Sequence, residues 1–446
     1  MKSAFLYKNY AHKFINNTLY IRYDFELMEE KATHHFFPEL KFTFPIKFFD
    51  NNFDKDLLDD LIFNLGMVES ISYWKTACCK DLIVECNYLN DNQIKWWKEL
   101  FFYGLGEFRY CNEIKTSKND FVNIKAKSNF EGEKTKRNTL KFNDNAIVPI
   151  GGGKDSIVTI ESLKRQISVI PYLINPSRAM LDTIKIAGFS TDDSIILERK
   201  IHPKLLELNA QGYLNGHTPF SAIVAFSSLI ASLLTSSKYV ALSNEASANE
   251  STVVSQTDDI INHQYSKTLH FESAFRNYYS ENLSSNFNYF SYLRNLYELQ
   301  IAEKFADLKE YHKYFRSCNA GSKEDKWCGN CPKCLFVYIM LLPFLSENEL
   351  ENIFGSNLLL NEKLQDVLYQ LTGYSEIKPF ECVGTIYETR AALAKYLSKN
   401  EAEGILIPYM EKAGKATIES DLKTFEEIIN SNNDNNFIPK ELLCKN

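Results

Sequence analysis

Along the first 112 residues, apolar and polar side chains alternate in short runs rich in Phe, Tyr and Trp. In Thr18-Leu19-Tyr20-Ile21-Arg22-Tyr23-Asp24-Phe25 every second position is hydrophobic, the period of a half-buried strand. An N-terminal β-rich domain is therefore predicted over residues 1–140. Its last part, Lys115 to Lys141, is polar and locally basic and reads as a solvated linker, with contact to an anionic substrate as the lesser option. From Asn145 the texture changes. Ala146 to Ile150 is a short apolar strand, Ser156 to about Lys164 has helical spacing, and Ile167 to Ile174 and Tyr239 to Leu242 are further strands. Strand, helix and strand in succession predict a parallel sheet with crossover helices over residues 141–345. The apolar stretch Ala222 to Leu234 carries Ser227, Ser228 and Ser232, is too short to cross a bilayer, and reads as a buried helix. Beyond Pro343 the pattern is helical to the end, residues 346–446. Ser346 with Glu349 forms a capping box, Gly355 supplies a stop, and a second helix is expected from Glu362 to Gly373.

Composition narrows the class without changing this outline. The 446 residues suggest two or three domains, and 45% hydrophobic with 24% charged residues is ordinary for a soluble globular chain. A net charge of −7 argues against holding duplex or transfer RNA, which requires neutralising phosphates. Lys8 and Asn9 interrupt the first apolar run before a signal core develops, and no membrane association is expected. Ten cysteines, four of them near residue 330, suit a reducing compartment with one metal site better than a disulfide framework, so a cytoplasmic protein is expected.

The sharpest motif is Gly151-Gly152-Gly153-Lys154-Asp155-Ser156, between a predicted strand and a predicted helix. Small residues let the backbone approach a ligand, and the free N–H groups of a helix start can cradle phosphate oxygens. Asp155 could hold magnesium bridging those phosphates, and Lys154 could offset their charge. A Walker A loop fails twice, at Val148 and Asp155, and a dinucleotide fingerprint fails at Ser156. The motif resembles the PP-loop of ATP pyrophosphatases, Ser-Gly-Gly-x-Asp-Ser, with Gly151 in place of the leading Ser. That resemblance implies attack on the α-phosphorus of ATP with release of pyrophosphate.

Cys328-Gly329-Asn330-Cys331-Pro332-Lys333-Cys334 sets three thiols within seven residues, with Cys318 ten positions upstream. Four thiolates at these spacings suit a closed, structural zinc site, and an iron–sulfur cluster is the alternative. Left unliganded, thiols so close together would oxidise readily.

A PP-loop followed by such a cluster is similar to the 7-cyano-7-deazaguanine synthases, which are much shorter and leave the first 140 residues unexplained. Other stretches resemble the ATP-dependent UDP-N-acetylmuramoyl-L-alanyl-L-glutamate epimerase (MurL) family. They are Tyr73-Trp74-Lys75, Gly104-Leu105-Gly106-Glu107-Phe108, Asn215-Gly216-His217, Ser243-Asn244-Glu245, Asn262-His263-Gln264-Tyr265-Ser266-Lys267 and Lys378-Pro379-Phe380-Glu381-Cys382-Val383-Gly384. The family pattern leads us to expect a basic residue after Ser-Asn-Glu, where this chain has Ala246, a departure that points to a modified substrate if that residue holds a phosphate or carboxylate.

The resemblance implies inversion of the terminal L-glutamate of a nucleotide-linked peptide, with ATP and Mg2+ consumed through an acyl-adenylate. Adenylation removes the carboxylate charge that makes a neighbouring Cα proton so weakly acidic, and an acid and a base then exchange that proton. Candidate proton carriers are His263 and Cys382 as the first pair, then His217. Lys267 is a candidate for phosphate or enolate stabilisation. Ser243, Asn244 and Glu245 are nucleotide-site candidates beside the glycine loop, with Glu245 as the second magnesium carboxylate. An isolated histidine more often belongs to a core, and a single cysteine to packing, so their place in these stretches is what singles them out. The alternatives are a nucleobase-modifying enzyme of the deazaguanine type and, given Gly151 and Ala246, a nucleotide-binding module without turnover.

Overall fold

The computed structural model describes residues 3–127, 141–254, 260–318, 320–321 and 324–443. Among the described residues thirteen strands run in chain order: β1 Ala4–Ile15, β2 Thr18–Met28, β3 Thr33–Phe36, β4 Glu39–Thr43, β5 Asp81–Tyr88, β6 Asn123–Lys127, β7 Asn143–Pro149, β8 Ser168–Ile174, β9 Ile195–Lys200, β10 Ser237–Leu242, β11 Val253–Val254, β12 Ile260–Ile261 and β13 Asn288–Ser291. Eleven form one mixed sheet in the order β13-β10-β7-β8-β9-β4-β2-β1-β5-β6, with β3 pairing β2. The fold is α/β, and this sheet runs through both the N-terminal and the central regions.

From β13 to β9 the strands are parallel. In β7 the side chains of Ala146 and Val148 enter one core and that of Ile147 the other, and β8 and β10 divide in the same way. A parallel sheet covered on both faces needs this near-continuous apolar sequence. The antiparallel strands around β2 behave differently. Leu19, Ile21, Tyr23, Phe25 and Leu27 are buried while Arg22 between them is exposed, which is the alternation legible in the sequence.

The predicted helices from Ser156 and Ala222 appear as Lys154–Leu163 and Phe220–Leu234. Ser346 and Glu349 form the expected capping box, and Gly355 ends that helix in the left-handed conformation. The second C-terminal helix begins later than expected, with a 3-10 turn at Glu362–Leu364 before the helix Gln365–Leu371. The expected linker also differs, because it supplies the short helix Lys118–Phe121 and strand β6, which pairs with β5. Its basic middle, residues 128–140, lies outside the described residues. Among the described residues no helix is long and apolar enough to cross a membrane.

The buried 20-residue helix Lys55–Trp74 in the N-terminal region has no counterpart in the predicted strands. Its apolar residues fill one core beside β1 and β2, and Gly66 lets it approach closely enough that a Cβ there would overlap the Tyr7 hydroxyl. Its C-terminal end leads into Lys75, which reaches the loop that carries His217.

Candidate active site

In chain order the five parallel strands are β7, β8, β9, β10 and β13, and β7 lies between β8 and β10. Connections leave β7 and β10 toward opposite faces of such a sheet, opening a crevice at their carboxyl ends, where α/β folds collect ligands. The glycine loop follows β7 and Ser243-Asn244-Glu245 follows β10. Gly152 has φ +78°, and a Cβ on it would lie 3.1 Å from Ala179 Cβ, so glycine is required there, whereas a Cβ at Gly151 would meet nothing within 4 Å. The backbone at Gly151 thus leaves room for the Cβ of the serine that stands there in the PP-loop pattern. The Lys154–Leu163 helix starts at Gly153 with no side-chain cap, which leaves its first N–H groups available. Ser156 instead donates its hydroxyl to the Gly153 carbonyl, at 3.0 Å.

Carboxylates from three strand ends meet in this crevice. Asp155 follows β7, Glu245 follows β10 and Glu298 follows β13, and their ligand oxygens all lie within 4.8 Å of one another. The buried Lys154 ammonium pairs with both Asp155 and Glu298. Burial opposes the charge of Asp155, yet Lys154 and Lys333 hold it below its ordinary range. Burial raises Glu245, with Asp155 adding to the effect, and burial with the neighbouring carboxylates brings Glu298 up to about 7. Crowded, partly protonated oxygens of this kind gain from a divalent cation. Asn244 spends its amide on Ser291, at 3.0 Å, whereas the buried Ser243 hydroxyl has no partner.

A second cluster adjoins the first. Glu107 accepts a hydrogen bond from His263 Nδ1 and lies 3.5 Å from His217 Nδ1, and the two imidazoles are 4.5 Å apart between centroids. The charges of His263 and Cys382 act on one another. Burial would lower His263, but Cys382 and Glu107 carry it up to about 9. Burial and the charge on His263 push His217 down to about 4. Burial would raise Cys382, but Lys267 and His263 bring its thiol down to about 6. Near neutrality the cluster therefore holds a thiolate, an imidazolium and a neutral imidazole.

Lys267 joins the two clusters. Burial would lower its ammonium, but Cys382, Glu245 and Asp155 together outweigh burial and hold it above the ordinary range. The segments carrying these groups brace one another. Gln264 Nε2 donates to the Val383 carbonyl at 3.2 Å, Lys378 pairs with Glu250 at 2.8 Å, and Lys333 donates to the Cys382 carbonyl. A Cβ at Gly384 would sit 3.0 Å from Glu298 Cγ, so this glycine lets the Cys382 segment lie against the carboxylates. Lys75 donates to the Gly216 carbonyl and, at 2.8 Å, to the Thr218 hydroxyl, fixing the loop that carries His217. Ala246 is buried, with its N–H bonded to the Leu296 carbonyl at 2.9 Å.

Cys318, Cys328, Cys331 and Cys334 also converge. Their sulfurs are 3.7 Å apart for Cys318–Cys331 and Cys328–Cys334, and 3.4 Å for Cys331–Cys334. A tetrahedron with Zn–S of about 2.3 Å has edges of about 3.8 Å, close to these separations. Cys331 caps the helix Pro332–Leu341, and Lys333, between two of the thiols, is the residue that reaches Cys382.

Every candidate named from the sequence thus lies in one of these three clusters or in the loops that frame them. Two residues were missed. Glu107 stood in a family-like stretch but had no assigned role, and its signal was an acidic side chain at the start of a short helix directly after Gly106. Glu298 gave no sequence signal, because only the parallel pairing of β13 with β10 brings it to the crevice.

Comparison with known proteins places these residues in context. A family model described as the MurL N-terminal domain matches residues 1–292, and one described as the MurL C-terminal domain matches residues 314–423. A UDP-N-acetyl-alpha-D-muramoyl-L-alanyl-L-glutamate epimerase of Xanthomonas oryzae pv. oryzae is 33% identical over 344 residues, covering 76% of this chain and 74% of the relative. Epimerases of the same description from a Micromonospora species and from Salinispora tropica are 32% identical over 335 residues and 33% over 338. They cover 74% of this chain in each case, and 73% and 71% of those relatives. No solved structure matches the chain.

Proposed function

This chain belongs to the MurL family, and on that premise we propose that it inverts the terminal L-glutamate of UDP-N-acetylmuramoyl-L-alanyl-L-glutamate. Adenylation of the α-carboxyl, with release of pyrophosphate, activates the substrate, and hydrolysis then releases the D-product and AMP. The reading rests above all on the meeting of the Asp155–Glu245–Glu298 carboxylates with the Glu107–His217–His263 cluster, between which the Cys382–Gly384 segment lies close against Glu298. Activation and proton transfer thereby share one site. Incubation with ATP, Mg2+ and the L-glutamyl precursor, followed by chiral analysis of the released glutamate, tests it directly.

The glycine loop, the uncapped helix start and the unpartnered Ser243 hydroxyl support a PP-loop nucleotide site. Asp155, Glu245 and Glu298 offer an all-oxygen donor set suited to Mg2+, which when bound would neutralise the ATP phosphates. The two histidines have environments that drive them apart, the usual mark of an acid and a base. In this reading neutral His217 accepts the Cα proton and cationic His263 donates one. Lys267 offsets charge developing on the carbonyl oxygen. A nucleotide-linked substrate and the use of ATP support a cytoplasmic location for this reaction.

The pH profile follows from these charge states. Activity is expected to rise as the Cys382 thiol ionises near pH 6 and to fall as the His263 imidazolium is lost near pH 9. Because each of the two groups shifts the other, the limbs of the kcat/KM curve belong to the pair. A profile flat from pH 5 to about 10 would contradict this assignment.

The four thiolates are read as a structural zinc site that anchors Lys333 beneath the Cys382 segment. Purified protein should carry about one zinc per chain, as a closed four-thiolate site requires. Cys331→Ser should release the metal and lower the melting temperature, as well as activity. Fully folded wild-type protein free of metal would remove the site.

A further inference from the structure

Gln264 Nε2 donates to the Val383 carbonyl at 3.2 Å and Lys333 Nζ to the Cys382 carbonyl, which holds the Cys382 segment beside His263. The chain Glu107, His263, Cys382 has a precedent in chemistry. A carboxylate fixes an imidazole, and the imidazole holds a thiolate, as in activated nucleophiles. Cys382 is half-buried, and its segment lies close against Glu298 of the proposed adenylation site at Gly384.

We propose that Cys382 is a nucleophile that takes the glutamyl group from the adenylate and carries it as a thioester during inversion. The proposal rests on the adenylation reading above. The thiolate electron pair forms the C–S bond to the α-carbonyl, and the C–O pair departs with AMP. Removal of the Cα proton pushes its electron pair into the thioester carbonyl, and a proton returned on the other face restores the C–H bond with inverted configuration. Water then forms a new C–O bond, the C–S pair returns to the thiolate, and two protons go to solvent. Sulfur donates weakly into a carbonyl, so the thioester keeps the Cα proton acidic after the anionic nucleotide has left. It also allows AMP to leave before inversion is complete.

Rapid acid quench of the full chain with ATP, Mg2+ and the L-glutamyl precursor, followed by intact mass measurement, tests the proposal. The expected adduct has the mass of the precursor less one water, maps to the peptide containing Cys382, and is removed by neutral hydroxylamine. In a single turnover AMP should appear before D-product. In Cys382→Ala, pyrophosphate should still form while the acyl group stays on AMP, recoverable with hydroxylamine as a hydroxamate free of protein. Wild-type turnover with AMP and D-product appearing together and no covalent mass would overturn the thioester and leave adenylation standing. Inversion with no pyrophosphate or AMP formed would overturn the adenylation reading, and the thioester with it.

Discussion

Turnover in deuterium oxide is expected to place one deuterium at Cα of the D-glutamyl product. Once the activated carbonyl can accept charge, the Cα proton passes to a site group, and the proton returned on the other face comes from a group equilibrated with solvent. Substrate recovered early should carry little label, because the base that takes its proton serves one face only. His217→Ala and His263→Ala should each slow inversion by about 10²- to 10⁴-fold, the usual contribution of a positioned acid or base. The two variants should differ in their pH profiles. His217 is held down to about 4 by burial and by the charge on His263, so it is already neutral over the working range. His263 is carried up to about 9 by Cys382 and Glu107 against the effect of burial, so its loss should erase the alkaline limb. Unlabelled D-product would exclude Cα deprotonation through groups open to solvent, and full activity in both variants would move the chemistry elsewhere.

Asp155→Asn is expected to suppress peptide-dependent cleavage of ATP by about 10²- to 10³-fold, the scale on which one preorganised charge-stabilising group matters. Its carboxylate is the group of the three with the most solvent access, 29% of the side chain, whereas Glu245 and Glu298 keep 4% and 2%. It is therefore the one best placed to meet an incoming metal–nucleotide pair. Its amide would keep the shape and lose the charge. Lys154 would still have Glu298 as an ion-pair partner, so the melting temperature should change little. Pyrophosphate and AMP, measured with and without the peptide, give the readout. Release of orthophosphate and ADP by the wild-type protein would mean a kinase or ligase mechanism and would remove the PP-loop reading.

Local pattern alone determined much of this protein. The strand period at Thr18–Phe25 reflects burial of one face of β2, and the apolar runs at β7, β8 and β10 reflect burial of both faces of a parallel sheet. The glycine loop and the cysteine spacing were legible because each packs its groups into a few consecutive residues, where backbone geometry leaves little choice. The helix Lys55–Trp74 was not legible. It is buried almost all round, so its apolar residues show no amphipathic stripe to separate helix from strand. Strand β6 was hidden for the opposite reason, since a short edge strand can be nearly as polar as a linker.

The site divides along the same line. Its residues could be named one stretch at a time, but their partnerships are long-range. Glu107 and His263 meet across 156 positions, and Lys154 and Glu298 across 144. No local propensity encodes such a meeting. The order of the parallel strands carries Asp155, Glu245 and Glu298 to one crevice, and the bracing of the Lys378–Gly384 segment carries Cys382 to His263. Charge state followed from the same packing. Cysteine and histidine have fixed tendencies in sequence, but burial and the neighbouring charges make one imidazole a cation, its neighbour neutral and the thiol an anion.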